Sequence, residues 1–194
     1  MCIRDRSYTF VYNGGPNLFA GSAERRTEKG PIWQKREPQS PGVPMSNGTV
    51  DWTRNQALPY VNSLMEKAAR AADNDQIRFL DLSKAFTGHE LSSTHTERIK
   101  CKGWAVSPTT TANCHKSATP AAATAEWVVP IDSDFVIGNA LGSSRMQQSY
   151  HPNRFGQQAI GNCVVGAQKV DRPSVACAGT PGQGPSQMTL TAAG

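Results

Sequence analysis

The sequence predicts an α/β fold built on a parallel sheet. Three observations point there: a short apolar strand near the start, "SYTFVYNGG"; a helical apolar pattern over residues 51–72; and, directly after it, the compact apolar segment "QIRFLDL". A helix followed closely by a strand of buried character is half of a βαβ unit, and such units assemble into parallel sheets.

Residues 7–15 combine Tyr8, Phe10, Val11 and Tyr12 with the turn signal Asn13-Gly14-Gly15, so a strand ends there. Residues 20–49 are polar and rich in Gly and Pro, as expected of a long surface excursion, with Trp33 available to pin it to the body. Asp51 is a candidate N-cap for the first helix. Ala57, Leu58, Val61, Leu64, Met65, Ala68 and Ala72 follow at three- and four-residue spacing and define its apolar stripe. Pro59 interrupts the pattern and should kink the helix or delay its start. The strand of residues 76–82 comes next, with Ile77, Phe79, Leu80 and Leu82 as its apolar positions.

Residues 92–125 return to irregular chain, and residues 126–131, "EWVVPI", read as a short strand or an anchoring segment. A last helix is expected over residues 152–168, with Phe155, Ala159, Ile160, Cys163, Val164 and Ala167 on its apolar face. Pro152 suits its first turn, where a missing N–H is harmless. Gly156, Gly161 and Gly166 each weaken a helix by ~1 kcal/mol relative to Ala, which points to close packing against a neighbour. Residues 171–194, rich in Pro, Gly, Ser and Thr, read as a flexible tail.

Composition narrows the function classes. The chain has 194 residues, 13 prolines and 17 glycines, enough for one loop-rich domain with a core. Its net charge of +5 comes from dispersed pairs such as Arg25-Arg26 and Lys35-Arg36, not from a basic block interleaved with aromatics. No nucleic-acid partner is expected on that basis. No apolar run approaches the ~20 residues of a membrane span, so stable membrane insertion is not expected. The opening "MCIRDR" resembles translated adapter sequence fused onto a partial reading frame, so residues 1–6, with Cys2, are set aside.

Four cysteines then remain: Cys101, Cys114, Cys163 and Cys177. None forms a C-x-x-C pair, and loop-rich surroundings suit two disulfides in an oxidising, secreted setting. Three pairings are open, with a preference for the local pairs 101–114 and 163–177. His89, in "TGHEL", is a candidate metal ligand with Glu90 and His95, or with Cys101, Cys114 and His115. The spacing fits no standard site, and a hydrogen-bonded loop histidine is the simpler expectation, so no metal or other cofactor is assigned.

The sharpest feature is "MQQSYHPNRFGQQAIGNCVV", residues 146–165, in which His151 stands directly ahead of a helix. "QQSYHPNRFGQQAIGNC" resembles the last conserved block of the SGNH (GDSL-type) hydrolases, the lipase and esterase superfamily, which has the form D-x-x-H-P-N followed by a helix. "RFLDLSKAFTGHEL", residues 78–91, is similar to the strand and loop preceding that block in secreted actinobacterial and fungal members. "ATAEWV", the helix beginning "DWTRNQALPYVNSL", and "FVYNGGPNLFA", which resembles the strand after the family's G-x-N-D block, occur in the family's order. The resemblance spans most of residues 8–167.

It implies a three-layer α/β/α sandwich and ester hydrolysis by a Ser-His or Ser-His-Asp system. The substrates would be small esters, lipids or acylated carbohydrates. A serine hydroxyl is a poor nucleophile until a base takes its proton, and a histidine can do so near neutral pH. On this resemblance His151 is the catalytic base. Position 148, where the family often has Asp, is Gln148, which carries no charge to stabilise an imidazolium. Neither G-D-S nor G-x-S-x-G occurs; Ser22, Ser143 and Ser144 lie in the wrong order and context, and "IGNAL", residues 137–141, lacks the Asp of G-x-N-D. The expectation is therefore a C-terminal part, residues 7–170, of an SGNH-like domain that is incomplete at its N-terminus and inactive alone.

Asp81, Asp132 and Asp134 are further candidates for a third triad member, though strand-end carboxylates more often serve turns. Trp104 and Trp127 are candidates to wall a substrate groove. The alternative function is a non-catalytic secreted binding module, carbohydrate-directed through exposed Trp33, Trp104 and Trp127.

Overall fold

The computed structural model describes residues 9–12, 15–25, 46–72, 74, 76–96, 121–129 and 150–193. Strand β1, Thr9–Tyr12, is followed by a 3₁₀ turn at Ser22–Glu24. Helix α1, Asn47–Trp52, runs through a π-helical turn, Thr53–Ala57, into helix α2, Leu58–Ala71. Strand β2, Ile77–Lys84, comes next. After a long irregular crossing come helix α3, Arg154–Gln168, strand β3, Ser174–Ala178, and strand β4, Thr189–Ala192.

The strands form one mixed sheet in the order β1-β2-β3-β4. β1 pairs parallel with β2, Thr9 opposite Ile77, and β2 pairs parallel with β3, Leu80 opposite Val175. β4 is antiparallel to β3, with Cys177 opposite Leu190. The expected α/β class and a parallel pairing across the first helical unit are both present, but the sheet is not parallel throughout. The connection of residues 179–188 is shorter than the dozen or so residues a parallel crossover needs, so β4 returns antiparallel.

Residues 171–193 correct the sequence expectation of a flexible tail: they supply two hydrogen-bonded strands. Cys163 in α3 and Cys177 in β3 form a disulfide 14 residues apart in sequence, tying the last helix to this strand. Cys101 and Cys114 lie outside the described residues.

The first helix starts earlier than Asp51. Ser46 is the N-cap, its hydroxyl accepting the Thr49 N–H at 3.2 Å, while Asp51 sits inside α1 and pairs with the buried Arg25 guanidinium. Pro59 is absorbed by the π-helical turn ahead of it: a proline ring presses on the carbonyl four residues back, and the wider turn covers that position, Asn55. The buried face of α2 is also rotated from the expected stripe. Leu58, Asn62, Met65 and Ala69 turn inward, whereas Val61 and Leu64 are 42% and 46% exposed beside Tyr60 and Trp52.

The core gathers Leu80 and Leu82 of β2, Ala159, Cys163 and Ala167 of α3, and Val175 and Cys177 of β3, with Phe86, Leu91, Trp127 and Val128 from the crossing segments. The expected inward face of α3 is therefore in place. Two of its three glycines meet a neighbour as expected. A Cβ on Gly156 would lie 2.4 Å from the Trp127 carbonyl, and one on Gly166 2.4 Å from Leu190. Gly161 instead faces open space.

Arg78, at the start of β2, donates to the Val170 carbonyl and, at 2.7 Å, to Asp171, both just beyond the end of α3. Phe86, just beyond the end of β2, lies against the Gly156 position in the first turn of α3. Helix α3 thus runs antiparallel to β2, and its N-terminus sits at the carboxyl end of that strand.

Candidate functional site

The approach to α3 is built from a short antiparallel pairing. Val128 bridges to Pro152. The Tyr150 N–H donates to the Val129 carbonyl at 2.9 Å, the Val129 N–H to the His151 carbonyl at 3.0 Å, and the Asn153 N–H to the Trp127 carbonyl at 2.9 Å. These bonds bracket His151 on both sides. Its side chain is exposed, at the carboxyl end of the sheet, where α/β folds place their ligand sites.

Asn153 closes the segment and opens the helix. It is the N-cap of α3: its Oδ1 accepts the N–H groups of Phe155 at 2.9 Å and Gly156 at 3.2 Å. Its Nδ2 donates to the Glu126 carbonyl at 2.7 Å, so one buried side chain fixes both the helix start and the strand beside it. The expected start at Pro152 moves to Arg154, because Asn153 holds the cap and Pro152 is engaged with Val128. Tyr150, just ahead of His151, has φ 62, a left-handed conformation that a bulky residue rarely takes. Its ring meets Phe19 edge to face at 5.4 Å, and burial pushes its phenol up to about 12.

Behind this pairing lies a layer of buried polar groups. The His89 ring stacks on the Trp127 indole, centroids 3.8 Å apart, and its Nδ1 lies 3.0 Å from the Ala125 carbonyl. Its Nε2 lies 3.4 Å from the Thr180 carbonyl. Burial lowers the His89 pKa, opposed by these carbonyls, so the neutral ring is favoured. The Glu126 carboxylate accepts the N–H of Ser92, a residue at φ 66. Glu90 accepts the Gly88 N–H at 2.7 Å and faces the Arg54 guanidinium at 3.3 Å; burial raises its pKa despite that partner.

The remaining sequence candidates are placed as follows. His89 and Glu90 turn to different partners, His95 is exposed, and among the described residues no three metal-ligating side chains come together. Cys101, Cys114 and His115 lie outside the described residues, as do Gln148, Asp132, Asp134, Ser143, Ser144 and residues 137–141. Asp81 lies within β2, where the register with β3 shifts, and accepts the Ser83 N–H at 2.8 Å. Ser22 is exposed on the 3₁₀ turn. Trp127 is fully buried, which corrects its expected place on a groove wall or an exposed binding face: His89 and Phe86 cover its ring, and its indole N–H donates to the Ala122 carbonyl. Trp33 and Trp104 lie outside the described residues. Among the described residues, no helix is long and apolar enough to cross a membrane.

What the sequence did not single out is the supporting layer: Asn153, Glu126 and the His89–Trp127 stack. The Asn153 cap had a local signal, an Asn one residue ahead of the helical pattern. The others are joined across 34 to 38 residues, with no local trace.

No protein-family model matches the chain, and no curated protein or solved structure matches it.

Proposed function

We propose that this chain is the C-terminal part of a secreted SGNH-type ester hydrolase, with His151 as the general base. The observation that carries the proposal is the placement of His151. It is exposed at the carboxyl end of a parallel strand pair, held by main-chain bonds on both sides, two residues ahead of the Asn153 cap of α3. A base must reach the proton it abstracts from a fixed position, and this histidine has an open ring on a fixed backbone.

The three-layer α/β/α arrangement is supported by side-chain alternation along β2. Ile77 and Phe79 line a hollow with Ala69, Arg70 and Ala72 at the end of α2, whereas Leu80 and Leu82 pack with Ala159, Cys163 and Ala167 of α3. Neighbouring residues of a strand point to opposite faces, so this alternation supports a reading with the two helices on opposite sides of the sheet. The Cys163–Cys177 disulfide accords with an oxidising, extracellular setting.

In the mechanism, the His151 imidazole takes the proton of a serine hydroxyl as it attacks the ester carbonyl. It then returns that proton to the leaving alcohol. The substrate is a small ester, a lipid or an acylated carbohydrate. The serine and oxyanion donors belong to G-D-S and G-x-N-D blocks that this sequence does not contain, so this chain alone does not turn over esters.

The test is to read the coding region upstream of residue 7 and express the extended protein. The extended frame is expected to encode both blocks, and the protein to hydrolyse p-nitrophenyl acetate. His151→Ala should lower kcat by roughly 10²–10⁴-fold, the usual contribution of a general base. An upstream frame without a G-D-S block, or undiminished turnover in His151→Ala, overturns the proposal.

A further inference from the structure

We infer that His89 is a positioning residue for His151, acting through the Ala125–Val129 segment. This rests on the proposed role of His151 for its functional meaning, but not for its structural content. The path is continuous. The His89 carbonyl accepts the Trp127 N–H at 2.9 Å, its ring lies flat on the Trp127 indole at an interplanar angle of 5°, and its Nδ1 reaches the Ala125 carbonyl at 3.0 Å. One residue thus grips the segment from its main chain, its ring face and its ring edge. The same segment holds His151: Trp127 accepts the Asn153 N–H, and Val129 exchanges hydrogen bonds with Tyr150 and His151.

The tautomer follows from the geometry. A neutral imidazole has one N–H to give, and the main chain of Ala125, Thr180 and Gln183 flanks this ring. The Nδ1 contact to the Ala125 carbonyl, at 3.0 Å, is shorter than the Nε2 contact to the Thr180 carbonyl, at 3.4 Å. The geometry points to the tautomer with its proton on Nδ1, donating to Ala125. The ring is fully buried and forms part of no metal-ligating group among the described residues, and it is held between the turn after β2 and the strand that registers His151.

Two substitutions separate the ring's functions. His89→Phe keeps a flat ring over Trp127 and deletes the donor. His89→Asn places an amide N–H at the Nδ1 position and deletes the ring. The experiment is amide hydrogen exchange on the whole chain, without substrate, followed residue by residue by NMR. In His89→Phe, the amides of Val129, Tyr150 and Asn153 are expected to exchange about tenfold faster, the scale of one lost hydrogen bond, while amides of β3 stay within about twofold. In His89→Asn, the three amides should return to within a few-fold of the parent. In the parent, the ¹⁵N spectrum should show the His89 proton on Nδ1.

Unchanged exchange in His89→Phe overturns the inference. So does an equal rise in β3, which would make His89 an ordinary core residue, and so does failure of Asn to restore protection. The exchange pattern involves no catalysis. If His151→Ala leaves hydrolysis by the extended protein intact, the base assignment falls while the exchange result stands on its own.

Discussion

Replacing Asn153 with alanine removes three hydrogen bonds at once and tests how the site is held. The Oδ1 of Asn153 caps α3 through Phe155 and Gly156, and its Nδ2 holds the Glu126 carbonyl at 2.7 Å. Losing a side-chain N-cap costs about 0.5–2 kcal/mol. Losing one further neutral hydrogen bond costs about 0.5–1.5 kcal/mol. The residue is buried, so water does not replace these partners freely, and Asn153→Ala should destabilise the fold by about 2 kcal/mol. Asn153→Ser separates the contributions: its hydroxyl keeps a capping acceptor, and it gives up the donor to Glu126 without placing a second acceptor against that carbonyl. It should lose less than the alanine variant loses. The assay is urea unfolding of the oxidised protein followed by circular dichroism, with equal m-values required before the midpoints are compared. A loss below about 0.5 kcal/mol for Asn153→Ala would refute the cap as an anchor of this segment. Equal losses for Ala and Ser would refute the division between cap and strand.

Three other outcomes are expected. Gly156→Ala should destabilise by about 1–3 kcal/mol, because its Cβ would press on the Trp127 main-chain carbonyl, whereas Gly161→Ala faces open space and should stabilise by about 0.5–1 kcal/mol; thermal melts of the pair check this. Reducing the Cys163–Cys177 disulfide, or replacing both cysteines with serine, should lose about 3 kcal/mol, as expected for a loop of this length, read by urea midpoints with and without reductant. The His89 pKa is lowered in the fold, chiefly by burial and with a small contribution from His95, so the unfolded chain binds the proton more readily. The associated stability is present above the unfolded value of about 6.5 and is lost as pH falls below it through the lower folded value; His89→Asn should flatten the stability–pH curve on the acid side of about pH 6.5.

The parts of the fold that were legible from sequence are those with a strong period. β2 and α3 carry apolar residues at regular spacing, and both lie close to where the pattern puts them. The parts that were misread have weak or competing signals. β3, "SVACA", and β4, "TLTA", are too short and too poor in large apolar residues to look like strands; β3 is held by its parallel pairing with β2 and by the disulfide, and β4 by its antiparallel pairing with β3. In α2, the apolar period is real, but its phase is set by contact with the sheet. Asn62 is drawn inward while Val61 and Leu64 stay at the surface. Asp51 looked like a cap because an apolar pattern follows it, yet it serves Arg25 from inside α1. His151 was legible because its H-P-N context is local. Its support was not, since His89, Glu126 and Asn153 meet only after the chain between β2 and α3 has folded back.

That difference bears on how the site is specified. The segment carrying His151 is registered mainly by directional bonds: Asn153 to Glu126 and Trp127, Val129 to Tyr150 and His151, His89 to Ala125, and Glu126 to Ser92. Apolar packing tolerates small slips, because any well-filled arrangement recovers much of the same burial. A paired hydrogen-bond ladder does not, since a one-residue slip leaves buried donors and acceptors facing the wrong partners. The bulk of the core, Leu80, Leu82, Ala159 and Val175, therefore accounts for the existence of the fold, whereas the polar layer between His89 and Asn153 accounts for the position of one exposed imidazole. Substitutions in the polar layer should move the site before they unfold the protein, and substitutions in the apolar core should do the reverse.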